Sequence, residues 1–196
     1  MGDRVREMLV RILPAFISGE KEELEAIQQM DEAVDLLHGK IVTYLGHLSQ
    51  ENLSPRDSGE LLSIMEAAND LEAVGDIIET NLVGQGLGRL ESGVTVSQVT
   101  QEVLTAFHKT VLRGLDLSLQ AVSQRSAQAA QAVVEMKDEV KEMANSASLH
   151  EARRLVAKEP NRLEAYTVEV DVLKNLERVY YFAKRMAKGV LAGLEG

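Results

Sequence analysis

The chain contains no cysteine and no tryptophan among its 196 residues. Disulfides, thiolate nucleophiles and cysteine-based zinc sites are therefore excluded. Aromatic residues make up 4% and prolines number three, Pro14, Pro55 and Pro160, so little interrupts the backbone. Cations are scarce: 21 Lys and Arg against 31 Asp and Glu leave a net charge of −10. That balance disfavours nonspecific nucleic-acid binding, which rests on neutralising phosphates, and docking on anionic lipid. No apolar run approaches the roughly 20 residues of a membrane-spanning helix, so this segment is expected not to insert directly. The opening residues, Met1-Gly2-Asp3-Arg4-Val5-Arg6, lack the apolar stretch of a secretory signal.

What is present is a palette of Ala, Leu, Val, Met, Glu and Gln, with 45% hydrophobic content, which favours helix over sheet and suffices for a core. Leu24, Ile27, Met30, Val34, Leu37 and Ile41 step by three or four, one face of a long helix. Ser54-Pro55 with Asp57 and Glu60 is a helix start, and Leu61, Ile64, Ala68, Leu71, Gly75 and Ile78 form the next stripe. Gly84-Gln85-Gly86-Leu87-Gly88, continuing to Gly93, reads as the main break. Further helices are expected over 96–124, over 127–156 and from about Pro160-Asn161 onward. The expected organisation is a first unit at 1–83, a Gly-rich connector at 84–95 and a second unit at 96–196. The fold class is all-α, two tandem antiparallel three-helix bundles. The first helix is short for its place: 30 residues precede Asp31, Pro14 interrupts them, and the second unit has about 40 before Lys137. The expectation is an excised piece whose first helix continues upstream. The methionines on the stripes, Met30, Met136 and Met186 among them, read as core filler. Lys184, Arg185 and Lys188 read as complements to the dipole at the end of the last helix.

Two stretches look like degraded copies of one another. Met30-Asp31-Glu32-Ala33-Val34-Asp35 lines up with Met136-Lys137-Asp138-Glu139-Val140-Lys141, and Asp70-Leu71-Glu72-Ala73-Val74-Gly75-Asp76 with Asn175-Leu176-Glu177-Arg178-Val179-Tyr180-Tyr181. The first copy has Asp31, Asp35, Glu72 and Asp76 where the second has Lys137, Lys141, Glu177 and Tyr181. Acids four apart share a helix face. Asp31/Asp35 and Glu72/Asp76 are two such pairs, each on the flank of its apolar stripe, where they meet across a groove and stay wet. Convergent oxygens suit a hard cation; an ordinary solvated flank has the same spacing. Uncompensated carboxylates repel, so replacing two of them by Lys fits a second site that holds no cation, and those lysines have Glu177 as an alternative ion-pair partner. His38, three residues after Asp35, is a candidate fifth ligand. A di-iron bundle needs two Glu-x-x-His motifs, and only Asp35-x-x-His38 comes near. His47, His108 and His150 form no spacing with a nucleophile, so the reading is not an enzyme.

The tandem bundles and paired acidic motifs resemble the PhoU family of phosphate-transport regulators. Asp31-Glu32-Ala33-Val34-Asp35 is similar to the family's first motif and Asp70-Leu71-Glu72-Ala73-Val74-Gly75-Asp76 to its second, usually Asp-Leu-Glu-Arg-Ile-Gly-Asp. Ala73 stands for the Arg, and Ile77 for the His that often follows. The resemblance implies surface metal binding by Asp31, Asp35, Glu72 and Asp76: a divalent or trivalent ion, Fe, Mn, Zn or Mg, in the first bundle only. Tyr180-Tyr181-Phe182-Ala183, in place of an Asp-His run, resembles the PhoU-like domain of sodium/phosphate cotransporter-family proteins. The function implied is a non-catalytic, cytoplasmic regulatory domain of a sodium-dependent phosphate transporter, tethered to the inner membrane by an upstream transmembrane portion. Its partners would be that membrane portion, a signalling protein or a second copy in a homodimer, with no nucleic acid. The alternatives are a free-standing PhoU-like regulator of a transporter and its sensor kinase, and a metal-free helical scaffold.

Overall fold

A computed structural model describes residues 1–155 and 162–195. All the regular structure among them is helical: α1 (Gly2–Ser18), α2 (Lys21–Leu48), α3 (Pro55–Asp76), α4 (Val83–Glu91), α5 (Gln98–Gln124), α6 (Ala127–Glu135), α7 (Lys137–Leu155) and α8 (Arg162–Glu195). A π-helical turn, Ile77–Leu82, joins α3 to α4. Helices α6 and α7 run on from one another through Met136, whose N–H still donates to the Ala132 carbonyl. The result is two bundles of three rods each. The expected end of the fourth helix at Val156 and start of the last near Pro160-Asn161 lie outside the described residues.

The starts are set by serine caps. Ser54 accepts from the Asp57 N–H with Pro55 in the first turn, and Ser97 and Ser126 do the same for α5 and α6; each satisfies an N–H that has no intrahelical partner. Pro14, expected to interrupt the first helix, lies inside α1 on its exposed side. The one hydrogen bond it removes is outweighed by burial of Val5, Met8, Leu9, Ile12 and Phe16.

The Gly-rich connector expected over 84–95 is helical as far as Glu91, and the chain leaves helix only from Ser92 to Ser97. The reason is close packing. A Cβ on Gly86 would come within 2.9 Å of both Leu24 methyls, so the absent side chain lets α4 lie against α2. Buried Leu82, Val83 and Arg89 hold the same face. Arg89 donates to the Phe16 and Val94 carbonyls, tying the end of α1 to the connector.

One continuous apolar core runs through both bundles, from Val5 and Leu24 to Val172 and Val190. The repeat is visible in its register. Buried Leu71 and Val74 match buried Leu176 and Val179 at an offset of 105, whereas Leu82 and Val83 match Met186 and Ala187 at 104. The π turn, with its wider i→i+5 spacing, absorbs the extra residue of the first copy. The same register relates two polar contacts between the bundles. Asn81 donates to Asn175 Oδ1 at 2.9 Å, and its counterpart Arg185 donates to Asp70, the counterpart of Asn175. Lys184, Arg185 and Lys188 are therefore not the terminal dipole partners expected: α8 runs on to Glu195 with no basic residue in its last turn.

Candidate functional site

Asp31 and Asp35 of α2 line one groove, and Glu72 and Asp76 of α3 lie near enough to act on Asp31 electrostatically. Asp31 differs from its neighbours. Expected to be wet, it is 7% exposed, seated against α3 at Gly75. A Cβ on Gly75 would lie 2.5 Å from Asp31 Oδ1, so this carboxylate packs where any other residue would project a methyl. Oδ1 is fully buried with no hydrogen-bond donor. Burial first, then the charges of Asp35, Asp76, Glu79 and Glu72, push the Asp31 carboxyl up to about 6. Glu72 is pushed up by burial and by Asp76, and Asp76 by burial and then Asp35 and Glu79. A positive charge on His38 works the other way at both. The four predicted acids thus form one electrostatic unit.

Sequence reasoning missed Glu79, Glu25 and Gln28. Glu79 lies three residues beyond Asp76 in the π turn and accepts from Gln28 Nε2 at 3.0 Å and from the Thr80 hydroxyl. Glu25, Gln28, Asp31, Asp35 and Glu79 line an open groove of about 490 Å³. The seven-residue step from Glu72 to Glu79 is two turns of a regular helix, but the π turn that begins at Ile77 resets the face Glu79 presents. His38 is drawn away from the role of fifth ligand, its Nε2 paired with Asn69 Oδ1 at 2.9 Å. Among the described residues no three His, Asp or Glu side chains already converge to hold an ion.

The second copy is built differently at each of these positions. Tyr180 stands where Gly75 does and is buried, its hydroxyl donating to the Val133 carbonyl at 2.8 Å. Its ring lies beside Gly114 of α5, where an added Cβ would meet Tyr180 Cδ2 at 3.1 Å. Lys184, the counterpart of Glu79, sits over that ring with Nζ 5.6 Å from the centroid. Burial, then Lys188 and Lys137, lower the Lys184 pKa. The alternative pairing of Lys137 or Lys141 with Glu177 is not made among the described residues; Lys137 acts on Lys184. Three acids have become cations, and Tyr180 is buried where Gly75 stands in the first copy.

The histidines offer no catalytic set among the described residues. Buried His108 bonds to the Leu9 carbonyl, and His150 lies beside Glu151. The geometry is that of an acidic patch on a helical frame.

The PhoU domain family matches residues 1–81 and 104–190, most of both bundles. The chain belongs to the PhoU family. Solved structures agree in fold. PhoU from Pseudomonas aeruginosa superposes with a TM-score of 0.92 at 18% identity, covering 100% of this chain and 92% of that one. The phosphate transport system regulatory protein PhoU from Streptococcus pneumoniae gives 0.86 at 21% identity, covering 98% and 89%. A putative PhoU-like phosphate regulatory protein from Shewanella oneidensis MR-1 gives 0.64 at 14%, covering 94% of each. No curated protein sequence matches. Within this PhoU-family chain, Asp31, Asp35, Glu72 and Asp76 all lie in the first matched stretch, residues 1–81. No helix among the described residues is long and apolar enough to cross a membrane.

Proposed function

We propose that this chain is a non-catalytic regulatory domain of phosphate transport, acting on the cytoplasmic face of a membrane as the PhoU-like domain of a sodium-dependent phosphate transporter. The observation that carries the reading is family membership across both bundles together with an acidic groove kept in one of them. The residues present fit a hard cation. The donors are oxygens, and Asp31 Oδ1 is buried without a partner in a field of like charges. Asp35, Glu72, Asp76 and Glu79 would hold the ion, with Asp31 behind them; of the candidates, Mg²⁺ and Mn²⁺ suit this all-oxygen set, and Fe or Zn remain within it. A cation held by these acids would supply the positive charge that offsets their repulsion and links α2 to α3. What the residues themselves do is set that link: Gly75 admits Asp31, Gln28 orients Glu79, and Tyr180 is buried at the equivalent of Gly75 in the second bundle. The loss of acids there supports a single-site, transporter-linked module. Its partner is the membrane portion or a signalling protein, and a second copy is compatible with the fold. The second reading, a free-standing regulator, is favoured by coverage of 92% of the Pseudomonas aeruginosa PhoU chain.

The test is labelled-phosphate uptake in cells lacking this chain, complemented with native protein or with Asp35→Asn/Asp76→Asn. Uptake should be deregulated without the chain and restored by the native form, with the variant restoring it incompletely. Uptake indifferent to removal of the chain would exclude a regulatory role.

A further inference from the structure

The second copy gathers cations where the first gathers acids. Lys137, Lys141 and Lys184 stand at the positions of Asp31, Asp35 and Glu79, and Lys188 lies one turn beyond Lys184. Lys137 and Lys141 share one face of α7, and Lys184 and Lys188 one face of α8, each pair four residues apart. Helices α7 and α8 pack on one another, so the two pairs are neighbours.

Nothing in the fold offsets this concentration of charge. None of the four lysines makes an ion pair among the described residues, whereas Arg113 is held by Glu139, Lys174 by Asp171 and Arg185 by Asp70. The acids of α7 lie on its other flank: Asp138, Glu139 and Glu142 line the groove toward α5. Asp138 and Glu139 act on the Tyr180 hydroxyl but not on Lys184. Glu177 lies two turns before Lys184 on α8, and burial pushes its carboxyl up with no lysine drawing it back.

One member of the group is held in place. Lys184 is half-buried, with Nζ 5.6 Å from the centroid of the Tyr180 ring. That ring is anchored by its hydroxyl on the Val133 carbonyl and lies against Gly114. Lys137 and Lys188 are exposed beside it. Burial and these two like charges disfavour the charged form of Lys184, and an anion seated among the three would reverse that effect.

We propose that Lys137, Lys184 and Lys188 form a binding site for a small tetrahedral oxyanion of the phosphate class, with Lys141 at its edge. Ammonium groups act on phosphate as point charges and need no forked geometry, so lysines from two helices can share one dianion. A net charge of −10 repels an extended anionic surface, which favours a small free anion over a lipid headgroup. The site stands apart from the acidic groove, and no metal enters its test.

Inorganic phosphate is titrated onto the full chain at pH 7.5, replacing sodium chloride at constant ionic strength, while NMR follows the lysine Cε methylene groups. Saturable shifts are expected at Lys137, Lys184 and Lys188, with the titration of Lys184 moved to higher pH in phosphate. Lys137→Gln/Lys184→Gln should weaken binding by about tenfold or more. Lys174→Gln, which removes a lysine of the same helix already paired with Asp171, should leave it unchanged. Lys137→Asp, at an exposed position, restores the charge of the first copy and should abolish binding with the melting curve by circular dichroism retained. Shifts reproduced by sodium chloride alone, or indifferent to the lysine variants, would overturn the proposal. Lysine-dependent sedimentation with phosphatidic acid vesicles, without saturable phosphate shifts, would give this face to a lipid surface and overturn it too. A native dimer broken by Lys137→Asp would do the same, giving the face to the acidic groove of a second copy.

Discussion

Asp31 combines burial with four neighbouring like charges, and the sign of its effect on stability follows. Its folded pKa, about 6, lies above its ordinary 3.8, so the folded state binds the proton more tightly than the unfolded chain. Its contribution is favourable below about pH 4 and is lost as pH rises toward 6. With chelator present, urea midpoints should therefore place Asp31→Asn about 2 kcal/mol above the native chain at pH 7.5, with the gap closing near pH 4. A gap unchanged across that range would show that Asp31 is already ionised without cost. Gly75 bears on the same carboxylate. Because an added methyl would meet Asp31 Oδ1 at 2.5 Å, Gly75→Ala should destabilise by about 1–3 kcal/mol. Asp31→Ala should relieve most of that penalty in the double variant, which a double-mutant cycle of denaturation midpoints measures. Additive losses would mean that the two residues do not touch.

At the level of elements, α3 and α8 are joined by unequal partners. Asp70 is 1% exposed and Oδ2 has no donor, so Arg185 is the charge that offsets its burial among the described residues. Burial pushes the Asp70 carboxyl up and Arg185 pulls it back. Arg185 is half-exposed, which puts Arg185→Ala at about 2 kcal/mol, short of the cost of breaking a fully buried pair. Asp70→Asn on that background should recover part of the loss, because a buried amide costs less than an unpaired carboxylate; chemical denaturation of the three forms checks it. The helices themselves were legible in the sequence, because their apolar steps and the Ser54-Pro55 start are local signals. The glycines at 84, 86 and 88 misled: Gly86 lies against Leu24, far away in the sequence, while a Cβ on Gly84 or Gly88 would meet nothing within 4 Å, so neither breaks the helix. The π turn was illegible for a related reason. A one-residue insertion inside a helix changes the face that Glu79 presents without changing any local preference.

Over the whole molecule, a duplicated unit has kept its frame and exchanged its chemistry. The acid pairs and their absence from the second copy could be read directly from aligned residues. The depth of Asp31, the burial of Tyr180 and the Glu79-to-Lys184 exchange could not, because each depends on which side chain crosses to a neighbouring helix. On the proposed reading, a cation held by the acids of α2 and α3 would act on how the first bundle meets its partner. The most direct measurement is therefore metal binding by calorimetry and elemental analysis, native chain against Asp35→Asn/Asp76→Asn, after chelation. The account predicts stoichiometric uptake of Mg²⁺ or Mn²⁺, a raised melting temperature from a stabilisation of about 3 kcal/mol at a hundredfold excess over Kd, and loss of both in the variant. No heat and an unchanged melting temperature with Mg²⁺, Mn²⁺, Fe²⁺ or Zn²⁺ would contradict it, leaving the acids as a solvated flank and regulation to protein contact alone.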